Sequence, residues 1–399
     1  MRYHLHGKHL VLGVCGGIAA YKSVELLRHL VKEEAVVRVV MTDNAAHFVG
    51  PITFEALSHT PVCRNLFAIS DEAAVQHIHW AQEAEAVVIA PATANIIGKL
   101  AGGIADDALS TFMLAVTCPV LICPAMNTHM YESKAVQRNL TLLKSYGYTI
   151  LDPGAGELAC GTTGPGRLPD PAIIFDALVD LLTPKDLEGR KVLITAGPTR
   201  EAIDPVRFIT NPSSGKMGYA VARAAAMRGA QVTLISGPTA LAPPLNVCVL
   251  PVTSAAEMAA AVLGQMDGHD IIIKTAAVAD FRPAAVSDLK IKKEQAQLSI
   301  ALERTQDILK AVGERKKNQI LVGFAAETHD LDAFATGKLK AKNLDIIVGN
   351  LIGPSDAGFC ADTNRATLYF SNDTREQVDL MTKADLAHLL LDRIVGLAN

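Results

Sequence analysis

Two α/β units in tandem, each a mainly parallel sheet covered by helices on both faces, are what this sequence predicts, and three observations carry that expectation. Strand-like runs are short and continuously apolar rather than alternating, with Gly-rich turns and amphipathic stretches between them, the pattern of strands buried on both faces. The pattern breaks at the polar stretch TPKDLEGR, residues 183–190, and then restarts. Finally, 399 residues, 50% hydrophobic and 5% aromatic, exceed what a single core usually organises.

In the first half the expected strands are His9 to Val14, Val36 to Met41, Ala86 to Ala90 and Val120 to Cys123, with helices at Ile18 to Val31, Ala94 to Ala101 and Ser133 to Ser145 between them. In the second half Lys191 to Ala196 opens the series. A helix from about Gly215 to Arg228 follows, then strands at Val232 to Ser236, Ile271 to Thr275, Ile320 to Phe324 and Leu344 to Val348, which makes this half Rossmann-like. The expected domains are 1–187 and 188–399. They share an architecture but no residue-level repeat.

Composition narrows the function classes. Lys+Arg 37 against Asp+Glu 41 gives a net charge of -4, which argues against nucleic-acid binding as the main activity. The mean hydropathy of +0.25 raises the question of a membrane span. The uncharged stretch Ala108 to Tyr131 is interrupted by Pro119 and Pro124 and closed by Asn127 and His129, so it reads as core and no membrane is expected. The start, MRYHLHGKHLVLGV, lacks signal-peptide order, so a cytoplasmic location is expected. Seven cysteines form no CxxC pair, and most read as small buried hydrophobes. Cys160 differs, because it lies in the turn-rich GAGELACGTTGPGR where a thiol has no packing role.

Polar residues gather at strand ends, where open α/β sheets bind ligands. GVCGGIAAYK, Gly13 to Lys22, lets a backbone and a helix N-terminus approach an anion, although such turns also serve tight strand-to-helix packing. Thr93 and Asn95 in APATAN read either as ligand contacts or, for Thr93, as a helix N-cap. PAMNTHMY, Pro124 to Tyr131, repeats the placement one strand further on. In the second half, about twenty residues separate the first strand from its helix in ITAGPTREAIDPVRFITNPSSGKMGYAVA, a length that favours function. Arg200, Arg207 and Lys216 bring charge there, and Ser213, Ser214 and Gly215 offer an anion cradle. TAAVADFRP, Thr275 to Pro283, follows another buried strand, and DLKIKKE reads as a strand with one lysine face. In GFAAET and the helix after it, Lys338 and Lys342 are four apart and share a face.

The ordered segments GVCGGIAAYK, QHIHWA, APATAN, AGGIADDALS, PAMNTHMY and ACGTTGPGR resemble the FMN-dependent phosphopantothenoylcysteine decarboxylases of the homo-oligomeric flavin-containing Cys decarboxylase family, over nearly all of residues 7–180. ITAGPTRE, DPVRFITNPSSGKMG, AAVADFRP, KIKK and VGFAAET resemble the phosphopantothenate-cysteine ligase domain over about 188–397. Together they resemble the bacterial fusion of these two enzymes in coenzyme A biosynthesis. A flavodoxin-like flavoprotein domain followed by a ligase domain is the implied fold.

By that resemblance His77 is the catalytic base, Asn127 holds the substrate carboxylate and Cys160 is the proton donor. Gly16, Gly17, Ile18, Thr42, Thr93, Ala94, Asn95 and Ala125 fall where the family contacts FMN. The chemistry requires such a set, since loss of CO2 from an N-acyl cysteine leaves a carbanion with no electron sink. Oxidising the CH2–SH to a thioaldehyde supplies one, and the ene-thiolate left after CO2 departs must regain two electrons and a proton. A thiol of ordinary pKa, about 8.5, keeps that proton near neutrality. Trp80, beside the altered flank HIHW, reads as core.

For the ligase, the resemblance implies CTP activation of 4'-phosphopantothenate to an acyl-cytidylate and displacement of CMP by cysteine, with Mg2+ on the phosphates. Asn211 contacts the acyl intermediate with Arg207 nearby, and Lys290 supports acyl-cytidylate formation. Ala276, Asp280, Phe324, Lys338 and Lys342 match the nucleotide site, whereas TQDIL at 305–309 and GNLI at 349–352 depart from the family pattern. Metal ligands are not identified. A homo-oligomer, a dodecamer of trimers and dimers, is implied. Two other classes, a non-catalytic flavoprotein regulator and an NAD-dependent oxidoreductase, fit less well: His77, Asn127 and Cys160 are all present, and neither half carries GxGxxG.

Overall fold

A computed structural model describes residues 5–65, 73–157, 161, 163–292, 299–327, 330–351 and 361–398. The chain divides into two compact units, Arg2–Thr183 and Pro184–Asn399. Among the described residues no helix is long and apolar enough to cross a membrane.

The first unit holds a five-stranded parallel sheet. Its spatial order is Val36–Met41, His9–Val14, Ala86–Ala92, Val120–Pro124 and Thr149–Ile150, an order of 2-1-3-4-5. This is the flavodoxin-like arrangement, whose switch point lies between the first and third strands. Alternate strand residues serve opposite faces. Val11, Val87, Ile89 and Ile122 pack with Trp80, Ile96, Ile97, Leu109, Phe112 and Leu140 on one side. On the other, the Ala20–Lys32 helix packs against the Pro171–Leu182 helix. Its buried Ser23, Leu26, Leu27 and Leu30 recur at i, i+3, i+4 and i+7. Each fully buried Leu here contributes about 1.5–3 kcal/mol. Trp80 is core, 6% exposed, with the Arg38 guanidinium 5.2 Å from its ring centroid.

The second unit holds an eight-stranded sheet. In spatial order the strands are Val247–Pro251, Gln231–Ser236, Lys191–Ala196, Ile271–Lys274, Ile320–Glu327, Ile346–Leu351, Thr363–Phe370 and Arg375–Thr382. The first six are parallel in the order 3-2-1-4-5-6, the Rossmann arrangement, and the last two are antiparallel. One face packs Leu193, Ile235, Ile272, Leu321 and Ile347 against Met258, Val262, Ile308, Val312 and Leu339. The Lys216–Met227 and Lys383–Ala398 helices pack together elsewhere in the unit.

Several expectations are corrected. The long loop after Ala196 contains an antiparallel hairpin, Arg200–Ala202 with Phe208–Thr210. Its strands are only three residues long, too short for period-2 alternation to show. Thr163–Arg167, the last five residues of ACGTTGPGR, is likewise a strand, paired antiparallel with Gly154–Glu157. Lys290 to Lys292 is not a strand, because the neighbouring chain holds it through side chains rather than a sheet ladder. The helix around Lys338 ends at Ala341, and Lys342 is its C-cap. Among the cysteines, Cys15 and Cys123 are buried and Cys63 and Cys118 half-buried, but Cys248 is exposed on the edge strand.

Candidate functional sites

The first unit opens a cleft of about 740 Å³ at its switch point. Gly16, Gly17, Ile18, Thr42, Thr93, Ala94, Asn95 and Ala125, drawn from four separate strand ends, all line it, as does Asn127. Two features of the wall suit an anionic, polar ligand. The Ala20–Lys32 helix begins here without a side-chain cap and without an acidic residue in its first turn, leaving backbone N–H groups and positive dipole to the cleft. Thr42 Oγ1 is buried and, among the described residues, has no hydrogen-bond partner. Thr93 caps the Ala94–Gly102 helix, accepting from Ile96 N at 3.5 Å, and also lines the cleft. Asn127 accepts from His129 N at 2.9 Å and starts the short Thr128–Tyr131 turn of helix.

Charged groups that sequence reading passed over complete this cleft. Lys22 and Lys99 both line it, Lys22 held by Asp170 at 3.0 Å and Lys99 by Asp106 and Asp107 at 2.6 Å each. Asp107 also forms a capping box with Ser110, accepting from its backbone at 2.8 Å. Burial and nearby Asp107 keep the Cys15 thiol protonated, its pKa pushed up to about 12, so it is no nucleophile. His77 lies in the Ala73–Glu83 helix, its side chain outside the described residues, and Cys160 is outside them altogether.

Glycine fixes the hairpin that brackets Cys160. Gly166 has φ +141°, and a Cβ on it would lie 2.2 Å from Met126 O. Met126 N donates to Gly166 O at 3.0 Å. Only an unsubstituted α-carbon lets the Thr163–Arg167 strand lie against the segment that carries Asn127.

The second unit has its own cleft, of about 640 Å³, at the Rossmann switch point between Lys191–Ala196 and Ile271–Lys274. Asn211, Ala276, Asp280, Phe324, Lys338 and Lys342 line it. Asn211 Nδ2 donates to Ala277 O and Val278 O at 3.2 Å each, which fixes the loop over the TAAVAD segment. The Lys216–Met227 helix points its uncapped N-terminus into the cleft, and Gly218 lets it close on the sheet, since a Cβ there would meet Ala196 Cβ and Thr275 Oγ1 at 2.5 Å. Lys338 pairs with Glu327 at 2.6 Å and Lys342 with Asp307 at 2.8 Å. Asp307 belongs to TQDIL, and Asn350 of GNLI also lines the cleft, so both departures from the family pattern fall on this wall.

Arg207 and Lys290 are not among the residues lining that cleft. The Arg207 guanidinium binds Asp204 and donates to Ile291 O at 2.9 Å, and Ile291 N donates to Asp204 at 3.1 Å. The Arg207 and Asp204 pair thus anchors the exposed segment that carries Lys290. Sequence reading missed Lys274, Asp307, Asn364 and Lys383 on the cleft wall. Lys274 had a signal, an isolated charge closing the apolar run IIIK.

Comparisons with known proteins agree with this two-part geometry. Residues 1–183 match the family model described as Flavoprotein, and residues 187–397 match the one described as DNA/pantothenate metabolism flavoprotein C-terminal domain. The chain is 50% identical over 398 residues to the coenzyme A biosynthesis bifunctional protein CoaBC of Bacillus subtilis (strain 168), covering 99% of this chain and 98% of that protein. It is 46% identical over 396 residues to the protein of the same name from Escherichia coli (strain K12), covering 98% and 97%. A solved C-terminal domain of a CoaBC protein is 46% identical, covering 54% of this chain and 98% of that one, at a TM-score of 0.47. Identity of this level across both units places the chain in the coenzyme A biosynthesis bifunctional family, CoaBC, in which a flavoprotein decarboxylase unit is followed by a ligase unit.

Proposed function

We propose that the second unit joins cysteine to 4'-phosphopantothenate with CTP, through an acyl-cytidylate, and that the first unit decarboxylates the resulting 4'-phosphopantothenoylcysteine to 4'-phosphopantetheine with FMN. The observation that carries this reading is the convergence of eight expected cofactor positions and Asn127 on one cleft at the first switch point.

The first cleft fits FMN through its uncapped helix start and the unpartnered Thr42 hydroxyl. When bound, the flavin supplies a two-electron acceptor and donor for the cysteinyl carbon and sulfur. The protein's part is positional and protonic: Asn127 orients the departing carboxylate, His77 accepts a proton, and Cys160 returns one to the product carbon. Exposed Ile18, Tyr21 and Met130 on the cleft rim support an assembly in which another copy covers them, the trimeric level of a dodecamer completed by ligase dimers.

In the second cleft Lys216, Lys338 and Lys342 gather positive charge where a triphosphate would lie. Asn211, Asp280, Ala276 and Phe324 shape the acyl and nucleotide subsites, and Lys290 with Arg207 acts from the neighbouring segment. No group of three or more metal-ligating side chains occurs among the described residues. Mg2+ would enter with the nucleotide, held mainly by its phosphates, the usual mode for that ion.

A coupled assay tests the proposal: the purified protein, yellow with bound flavin, should release CO2 from 4'-phosphopantothenate and cysteine when CTP is added. Release with ATP and not CTP would overturn the nucleotide assignment, and CTP consumption without CO2 would overturn the decarboxylase assignment.

A further inference from the structure

Lys274 ends the Ile271–Lys274 strand, on the far side of the second unit's switch point. Its register partners are Thr195 and Gly323, neither of them charged. The side chain lines the cleft. Three charged groups from other elements face it: Asp280 from the segment after the strand, Asp307 at the N-cap of the Ile308–Arg315 helix, and Lys342 at the C-cap of the Leu331–Ala341 helix.

Asp280 and Asp307 favour its charged form, yet neither forms an ion pair with it among the described residues. Asp307 is engaged by Lys342 at 2.8 Å and by Lys310 N at 3.0 Å. Two other cleft lysines have carboxylates of their own, Lys216 with Asp362 and Lys338 with Glu327, each at 2.6 Å, and Lys383 donates to the backbone carbonyl of Ala361. Among the described residues no carboxylate forms an ion pair with Lys274. Burial, reinforced by the charge of Lys342, pushes its pKa down to about 8. A half-buried ammonium on the cleft wall, with no ion-pair partner among the described residues, is a group whose charge an anion bound in the cleft would meet.

We infer that Lys274 contacts the nucleotide, and that the polyphosphate supplies the ion-pair partner that Lys274 lacks among the described residues. The inference rests on the nucleotide reading of the second cleft and adds to it a residue and a linked proton. Free Lys274 is half protonated near pH 8. An anion beside it favours the charged form, so binding above neutral pH draws a proton from solution, and affinity falls as pH rises past 8, by at most tenfold per pH unit. At pH 7 the ammonium is already charged and the effect is small.

Titration calorimetry of Mg–CTP into the full chain at pH 8.5, in two buffers of different ionisation enthalpy, measures this proton directly. The wild type should take up as much as about 0.8 proton per site. Lys274→Met should show no uptake, bind CTP about 10- to 100-fold more weakly, and unfold at the same or a higher temperature, because an apolar chain of similar length replaces an uncompensated charge. Lys274→Arg should keep the affinity without the uptake, since a guanidinium does not titrate in this range. Binding by the wild type without proton uptake, or Lys274→Met with unchanged affinity, would overturn the inference. So would Lys274→Met that loses affinity only because it melts at a lower temperature, a purely structural effect. Absence of CTP binding by the wild type would instead sink the nucleotide reading itself.

Discussion

Lys22 and Asp170 meet at 3.0 Å across 148 residues of chain, the ammonium side buried at 8% exposure and the carboxylate open at 73%. The same ammonium donates to Leu168 O at 3.2 Å. The helix whose first turn borders the first cleft is thereby tied to the residues that follow the Thr163–Arg167 strand, and the cleft's two walls share one cation. Lys22→Met removes both bonds, and the buried one to Leu168 O, made by a charged donor, is worth about 1.5–3 kcal/mol. FMN binding should weaken by about 10- to 100-fold, read from the flavin fluorescence on titration. Asp170→Asn should do far less, because its carboxylate is solvated. Equal losses in the two variants would contradict this account.

Gly166→Ala places a methyl group 2.2 Å from Met126 O at a backbone conformation that L-residues rarely adopt. The hairpin must then lift away from the Asn127 segment. CO2 release should fall by at least about tenfold while CTP-dependent ligation, housed in the other unit, continues. Assaying the two half-reactions separately decides the matter, and loss of both would mean that the substitution acts through global misfolding.

Asp204→Asn should detach the segment bearing Lys290, raising KM or lowering kcat for the ligase half-reaction without touching flavin content. Arg207 and three backbone N–H groups hold the Asp204 carboxyl well below the usual carboxylate range. A depressed pKa contributes stability that is present above the unfolded value, about 3.9, and is lost as pH falls through the folded one. The variant should therefore have a shallower loss of stability below pH 4 than the wild type, measured by acid-induced unfolding. Parallel acid curves for both proteins would refute the assignment.

His77→Asn should retain bound flavin and lose CO2 release, because an amide cannot accept the proton at neutral pH. Lys290→Gln should lose the ligase step alone. Near-normal CO2 release by the first variant would fail the base assignment. Loss of both reactions in either variant would contradict separate sites.

What the sequence determined by itself was the periodicity of the long elements and the chemistry at strand ends. Apolar runs such as VVRVV and IIIK, bounded by turn residues, read as buried strands between helices, and the Gly-rich turns after them mark where a sheet binds ligands, so both α/β units were legible, while the individual cofactor and nucleotide positions came from the family resemblance. Short or irregular backbone was not. The hairpins around Phe208 and Thr163 and the segment at Lys290 carry too few residues for a period; Asp204 and Arg207 hold the Lys290 segment and Met126 meets the Thr163–Arg167 strand, contacts between residues distant in sequence. Tertiary structure alone decided which charges are satisfied. Lys22, Lys99, Lys338 and Lys342 look alike in sequence to Lys274, yet among the described residues each of the four finds a carboxylate and Lys274 does not. An ion pair depends on separations of a few ångströms between elements tens of residues apart, and only the folded chain sets those distances.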